Sequence, residues 1–366
     1  MSCEKPGVLV GRSNIVTAAR GRVPRGPDPA SDPGLRDRLR ARARRALEGS
    51  EAYIHDAILF GRRVRLFTNS FHLADFWREN FFAEAEWRAR VGPPPERGRT
   101  DLAVHAMIDV PEEAEASYVS PSLGEVYLFN TSWYGDLRAC ALEALDAKLA
   151  PGARIFHGGA VVRGNRTAVF LYPREVIHPT PVWGLLEELP DARLAAEGWF
   201  GADAQGRVHP LEKGLYLRPT LLEHYPRYAG RVLSAKFENV PDPEPDAAQA
   251  ARAKAQAVCE AALAAEPHGP LRGIPAERAR EILLRLLASP EARLMVGAEA
   301  LVGKARVARG PLSPTAVFRL EAAADGEPFR PARVEPFAGP TFEVRWGALP
   351  AEPRQAARRV AEKAFP

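Results

Sequence analysis

Residues 155–189, IFHGGAVVRGNRTAVFLYPREVIHPTPVWGLLEEL, decide how the rest of the chain is read. The runs 154–162 and 167–172 are β-branched and apolar, and Gly164-Asn165 between them has the chemistry of a tight hairpin turn. A seven-residue connector, 173–179, follows Tyr172. Thr180 can then cap a helix whose first position is Pro181, with Trp183, Leu185, Leu186 and Leu189 behind it. Strand, loop and helix N-terminus in that order is the layout of a phosphate-binding loop.

The pair His157-Gly158 and the helix stretch Trp183-Gly184-Leu185-Leu186 give this layout a family likeness. Together they resemble the nucleotide-binding core of the HPr kinase and phosphoenolpyruvate carboxykinase superfamily. In that core a His-Gly strand and a second strand lead into GxxGxGK[ST], and an Asp-Asp pair follows on a later strand. Without a gap, Glu175 and Ile177 fall on phosphate-loop glycines, His178 on the lysine and Pro179 on the Ser/Thr, with Thr180 one residue on. The Asp-Asp pair falls on Glu197-Gly198. Segments 212–218 and 236–240 also resemble such proteins, so the likeness spans residues 52–334 with no diagnostic motif intact. It implies a mixed α/β (α+β) fold: a phosphoenolpyruvate carboxykinase/HPr kinase-like core over 131–240. An N-terminal α+β lobe would occupy 50–130, and a C-terminal α/β extension, 241–366, would pack on the core.

The loop chemistry departs from that family. A phosphate cradle needs glycines so that successive N–H groups can point at the anion. None of the eight residues 173–180 is glycine, two are proline and three are β-branched. Glu175 adds a carboxylate, and a histidine at position 178 is mostly neutral at pH 7 where lysine is charged. Phosphoryl transfer also needs a carboxylate on the metal and a base for the acceptor. Glu197 can fill one role and Gly198 neither.

What remains is a set of polar candidates. His157, His178 and Glu197 are the catalytic candidates and Thr180 the candidate for cofactor binding, while Lys213 and Arg218, with Glu212 nearby, could hold an acidic ligand. Two histidines and a glutamate suit Zn²⁺, but their spacing forms no metal motif. The expectation is a pseudokinase with a binding or regulatory role, no cofactor, and a protein or acidic ligand as partner. The alternative is an atypical ATP- and Mg²⁺-dependent phosphotransferase in which His178 and Thr180 replace Lys and Ser.

Composition sets the outer bounds. With 46% hydrophobic and 26% charged residues, the 366-residue chain can build ample core, whereas 34 prolines favour short elements and rigid connections. Cys3, Cys140 and Cys259 are too scattered for a disulfide framework or metal cluster. No apolar run approaches a membrane span and no signal-peptide core is seen, so a soluble, cytoplasmic protein without a membrane partner is expected. Residues 1–50 carry eleven Lys/Arg against five Asp/Glu, more than the whole net charge of +4. Residues 1–49 read as a basic, disordered tail, with 35–47 permissive for helix. Such a tail could meet nucleic acid, but it has no aromatics for base stacking and a solvated extension is preferred.

Elsewhere, a hairpin is expected around Gly61-Arg62-Arg63, then a helix capped by Asn69 whose Leu73, Phe76, Trp77 and Phe81 share a face. Further strands are expected at 102–110, 125–130, 192–200, 214–217, 302–307 and 315–320. Helices are expected at 135–149, 246–265, 275–287 and 354–364.

Overall fold

The computed structural model describes residues 8–10, 14–18, 23–81, 88–90, 100–111, 113–131, 134–172, 180–233, 244–265, 274–289, 292–323 and 325–366. Two compact units form, one from residues 20–155 and the other from residues 1–19 together with 156–366. These differ from the segments expected, since 20–49 and 131–155 join the lobe 50–130. Two short strands, Val8–Val10 (β1) and Asn14–Ala18 (β2), belong to the larger unit.

The 20–155 unit opens with helix Pro33–Glu48 (α1). It continues through strands Ala52–Leu59 (β3) and Arg62–Thr68 (β4), helix Phe71–Asn80 (α2), and strands Arg88–Arg90 (β5), Leu102–Met107 (β6), Ala116–Ser120 (β7) and Glu125–Phe129 (β8). Helix Tyr134–Asp146 (α3) closes it. The six strands form one sheet in the order β5-β3-β4-β6-β8-β7, with β4, β6 and β8 mutually parallel. Phe60 and Gly61, both at positive φ, make the β3–β4 turn one residue earlier than expected. Ser70, not Asn69, caps α2 by accepting the Leu73 amide. Asn69 instead bonds both the amide and the carbonyl of Ile108.

The expected disordered tail is corrected here. Asp32 accepts the Gly34 amide at the N-cap and Pro33 occupies the first turn, so α1 has a defined start. Leu39 and Ala43 pack on Met107, Tyr127 and Phe129; burying Leu39 alone is worth about 1.5–3 kcal/mol. Arg36 and Arg40, one helical turn apart, both donate to Glu125, and Arg42 pairs with Glu113 at 2.7 Å. Much of the positive charge that looked free is neutralised within the unit. Ahead of the helix, residues 24–26 bond along Ser117 of β7.

The larger unit carries strands Arg154–Arg163 (β9) and Arg166–Leu171 (β10), helix Pro181–Glu188 (α4), and strands Arg193–Ala202 (β11), Val208–Pro210 (β12) and Gly214–Leu217 (β13). Helices Thr220–His224 (α5), Ala229–Val232 (α6), Pro245–Ala265 (α7) and Ala276–Leu287 (α8) follow. Strand Ala292–Gly297 (β14), helix Ala298–Val302 (α9), strands Ala316–Glu321 (β15), Phe329–Ala332 (β16) and Thr341–Arg345 (β17), and helix Pro353–Ala364 (α10) complete it. One sheet has the order β12-β11-β9-β10-β15-β17-β16 and a smaller one β1-β2-β14-β13. The seven-stranded sheet is mixed: β9 and β10 are an antiparallel hairpin turning at Gly164 (φ 58°), while β10, β15 and β17 run parallel.

Residues 168–170 are fully buried in succession, as in strands covered on both faces. One face packs Val161, Phe170 and Phe318 against Val182, Leu186, Leu283, Leu286 and Val360. The other collects Val162, Val169, Phe200, Val317 and Phe337. The C-terminal third therefore shares one core with the central hairpin. The strand expected at 302–307 is instead the end of α9, Gly303 at φ 90° and a 3-10 turn. That turn presents Arg306 to the carbonyls of Leu186, Leu189 and Ala192, so it fastens the C-terminal end of α4. The fold is mixed α/β, and among the described residues no helix is long and apolar enough to cross a membrane.

Candidate functional site

An acid inside the apolar run of β11 marks the centre of the site. Glu197 is 7% exposed, among Ala195, Ala196 and Phe200 of its own strand. Its Oε2 accepts the Tyr172 hydroxyl at 2.6 Å and its Oε1 accepts the Thr180 hydroxyl at 2.7 Å. Tyr172 is the first residue past β10 and Thr180 the last before α4. One carboxyl group therefore joins the end of a central strand to the start of the helix that packs on the sheet.

Gly159 makes this closeness possible. A Cβ built there would lie 2.6 Å from Glu197 Oε2, Tyr172 Oη and Val182 Cγ2. The second glycine of His-Gly-Gly is thus required by the packing of the acid, because any larger residue would occupy the space its oxygen fills.

Electrostatics follow from burial. Desolvation pushes the Glu197 carboxyl up to about 7, against the opposing bonds from Tyr172, Thr180 and the Trp183 indole. Burial and the neighbouring Glu197 raise the Tyr172 phenol well above its usual range. His157, on β9, meets the Tyr172 ring edge-on at 5.5 Å and lies 5.1 Å from the Trp199 ring. Glu212 accepts the Trp199 amide at 3.1 Å just beyond Gly198, which sits at φ 121°.

Of the candidates read from sequence, His157 and Glu197 both meet Tyr172, one through its ring and the other through its hydroxyl, and Thr180 is bonded to Glu197. His178, like the whole connector 173–179, lies outside the described residues. Lys213 and Arg218 bracket β13, in the four-stranded sheet rather than the sheet bearing Glu197. Thr180 holds the N-cap position of α4 as expected, but its hydroxyl is turned to Glu197, to which it donates, and its oxygen makes no cap bond. Tyr172, Gly159 and Trp199 were not singled out beforehand. The available signal was an acid, Glu197, in an otherwise apolar strand, facing a glycine-rich one.

Thr180 and Glu197, the candidates expected for cofactor binding and catalysis, are each other's hydrogen-bond partner. Among the described residues no group of three His, Cys, Asp or Glu side chains is placed to hold a metal ion. The arrangement can hold and release a proton at Glu197. No protein-family model and no curated protein matches the chain.

Proposed function

We propose that the protein is a catalytically inactive pseudokinase with a phosphoenolpyruvate carboxykinase/HPr kinase-like core, acting in the cytoplasm through binding or regulation. The observation that carries this reading is the 2.7 Å bond between Thr180 and Glu197, which engages together the two side chains best placed to receive Mg²⁺. The hairpin turning at Gly164 and the helix starting at Pro181 agree with the strand–connector–helix order of that core. The glycine-free connector supports the loss of nucleotide chemistry. Its partner is a protein or an acidic ligand met through residues such as Lys213 and Arg218. Nucleic acid is the weaker candidate, because Arg36, Arg40 and Arg42 are already paired with Glu125 and Glu113.

The test is titration with ATP, GTP and pyrophosphate, each with Mg²⁺, by calorimetry or thermal shift. Charge-assisted bonds to phosphate are worth about 1.5–3 kcal/mol each. Losing three of them, roughly 5 kcal/mol, moves a micromolar site to millimolar or weaker. Saturable binding tighter than about 100 μM would sink the pseudokinase reading. Loss of that binding in His178→Ala would then favour a phosphotransferase with a rebuilt site.

A further inference from the structure

A buried carboxyl group with no cation beside it has only hydrogen bonds to hold its charge. Glu197 is such a group: among the described residues its partners are the Tyr172 and Thr180 hydroxyls and the Trp183 indole, and none of them is a cation. The two hydroxyls come from the end of β10 and the start of α4, so the acid ties both to β11. We propose that Tyr172, Glu197 and Thr180 form a proton-operated latch on the first turn of α4, its bonds rearranged as Glu197 gains or loses its proton.

The donor inventory defines two states. An ionised carboxylate only accepts, and both hydroxyls donate to it in the observed geometry. A protonated carboxyl carries a donor of its own and is a weaker acceptor than the carboxylate, so its hold on the two hydroxyls loosens. Thr180 is the one with another task within reach. It stands at the N-cap of α4 without capping, and a hydroxyl released from Glu197 can accept an amide of the first turn, Val182 or Trp183. Losing the proton from the acid therefore draws Thr180 away from the helix, and gaining it hands Thr180 back. With the carboxyl pushed up to about 7, both states are populated at neutral pH.

Among the described residues the groups facing the latch are few. On β9 stands His157, edge-on to Tyr172. Past β10, Tyr172 holds its proton firmly because burial and Glu197 raise its phenol. Helix α4 contributes Thr180 and Trp183, neither ionisable in this range, and Glu212 reaches β11 through the Trp199 amide. Since imidazoles commonly titrate near neutrality, His157 is the control.

The full chain, with its glutamate side chains labelled with carbon-13, is followed by nuclear magnetic resonance between about pH 5 and 9. The Glu197 carboxyl signal, assigned by its loss in Glu197→Gln, should titrate with a midpoint above about 6, well over the ordinary glutamate value. The amide signals of Val182 and Trp183 should move with the same midpoint. Tyr172→Phe and Thr180→Val each remove a donor to the charged form and should raise the midpoint by about one pH unit. Thr180→Val should also abolish the amide response, whereas His157→Asn should leave both intact. A Glu197 midpoint below about 6, or an amide response that survives Glu197→Gln, overturns the latch. The wild-type titration decides the midpoint even if a variant fails to fold, and none of these readings depends on whether nucleotide binds.

Discussion

Replacing Gly159 by alanine loads the acid cluster at its tightest point. The new Cβ would stand 2.6 Å from Glu197 Oε2, Tyr172 Oη and Val182 Cγ2, where ordinary contact begins at 3.4 Å. Each neighbour would have to retreat by about 0.8 Å, and none can do so cheaply. Val182 is fully buried in α4, and the two oxygens are bonded to each other at 2.6 Å. Overpacking of this kind costs about 1–3 kcal/mol, and a lost bond to a charged group about 1.5–3 kcal/mol more. We expect urea unfolding to report a loss of about 2.5–6 kcal/mol for Gly159→Ala. Gly164→Ala is the comparison: its Cβ meets nothing within 4 Å, and only the positive φ of 58° opposes it, at about 1–2 kcal/mol. Deleting the Tyr172 hydroxyl removes one of the three obstacles, so Gly159→Ala combined with Tyr172→Phe should cost less than the two separately. Strict additivity, or a Gly159→Ala protein within about 0.5 kcal/mol of wild type, would refute the packing argument.

Glu197 also governs stability against pH. Its folded carboxyl, at about 7, lies above the usual 4.5, so the native state holds the proton more tightly than the unfolded chain. Its contribution is greatest below pH 4.5 and is lost as pH rises to about 7, a change of about 3 kcal/mol. Denaturation at several pH values should show that slope in wild type and not in Glu197→Gln. Glu125 has the opposite sign: burial alone would raise its carboxyl, but bonds from Arg36 and Arg40 hold it below the usual range. Its stabilisation is present above the unfolded value and is lost as pH falls through the folded one. Glu125→Gln should cost about 1–3 kcal/mol and expose α1 to trypsin. Arg306→Leu removes the donors to three carbonyls at the end of α4 and should cost about 2–4 kcal/mol by the same unfolding assay.

The central hairpin and α4 were legible because several local signals agreed there: apolar runs, a glycine turn and a proline at the first helical position. The N-terminal segment was misjudged on charge. Arginines four apart on a helix look solvated until a carboxylate such as Glu125, 85 residues from Arg40, is known to face them. Strands β1 and β2 are three and five residues long, and pairing with the distant β14 defines their place. The stretch 302–307, with a valine at each end, was expected as a strand, but Gly303 at positive φ ends a helix there. Within the site, Glu197 and Thr180 could be singled out from sequence, but their bond to each other could not. The neighbouring bond from Tyr172 to the same acid lies against Gly159, where a Cβ would stand 2.6 Å from both its oxygens, a close approach in space that leaves no periodic trace.

Strand β2 takes its place against β14, with Ala18 opposite Ala292, so a sheet of the larger unit joins segments on either side of the 20–155 unit that are far apart in sequence. Ribosomal synthesis is vectorial, and β2 leaves the exit tunnel long before its partner has been made. At about 5–20 residues per second, the delay is on the order of 15–55 s. The 20–155 unit emerges complete in that interval and can fold on the nascent chain. The larger unit can close this sheet only after its C-terminal half has been translated. A ribosome stalled before β14 would thus display a folded insert flanked by an unclosed host, with the β14-facing edge of β2 unpaired and open to chaperones.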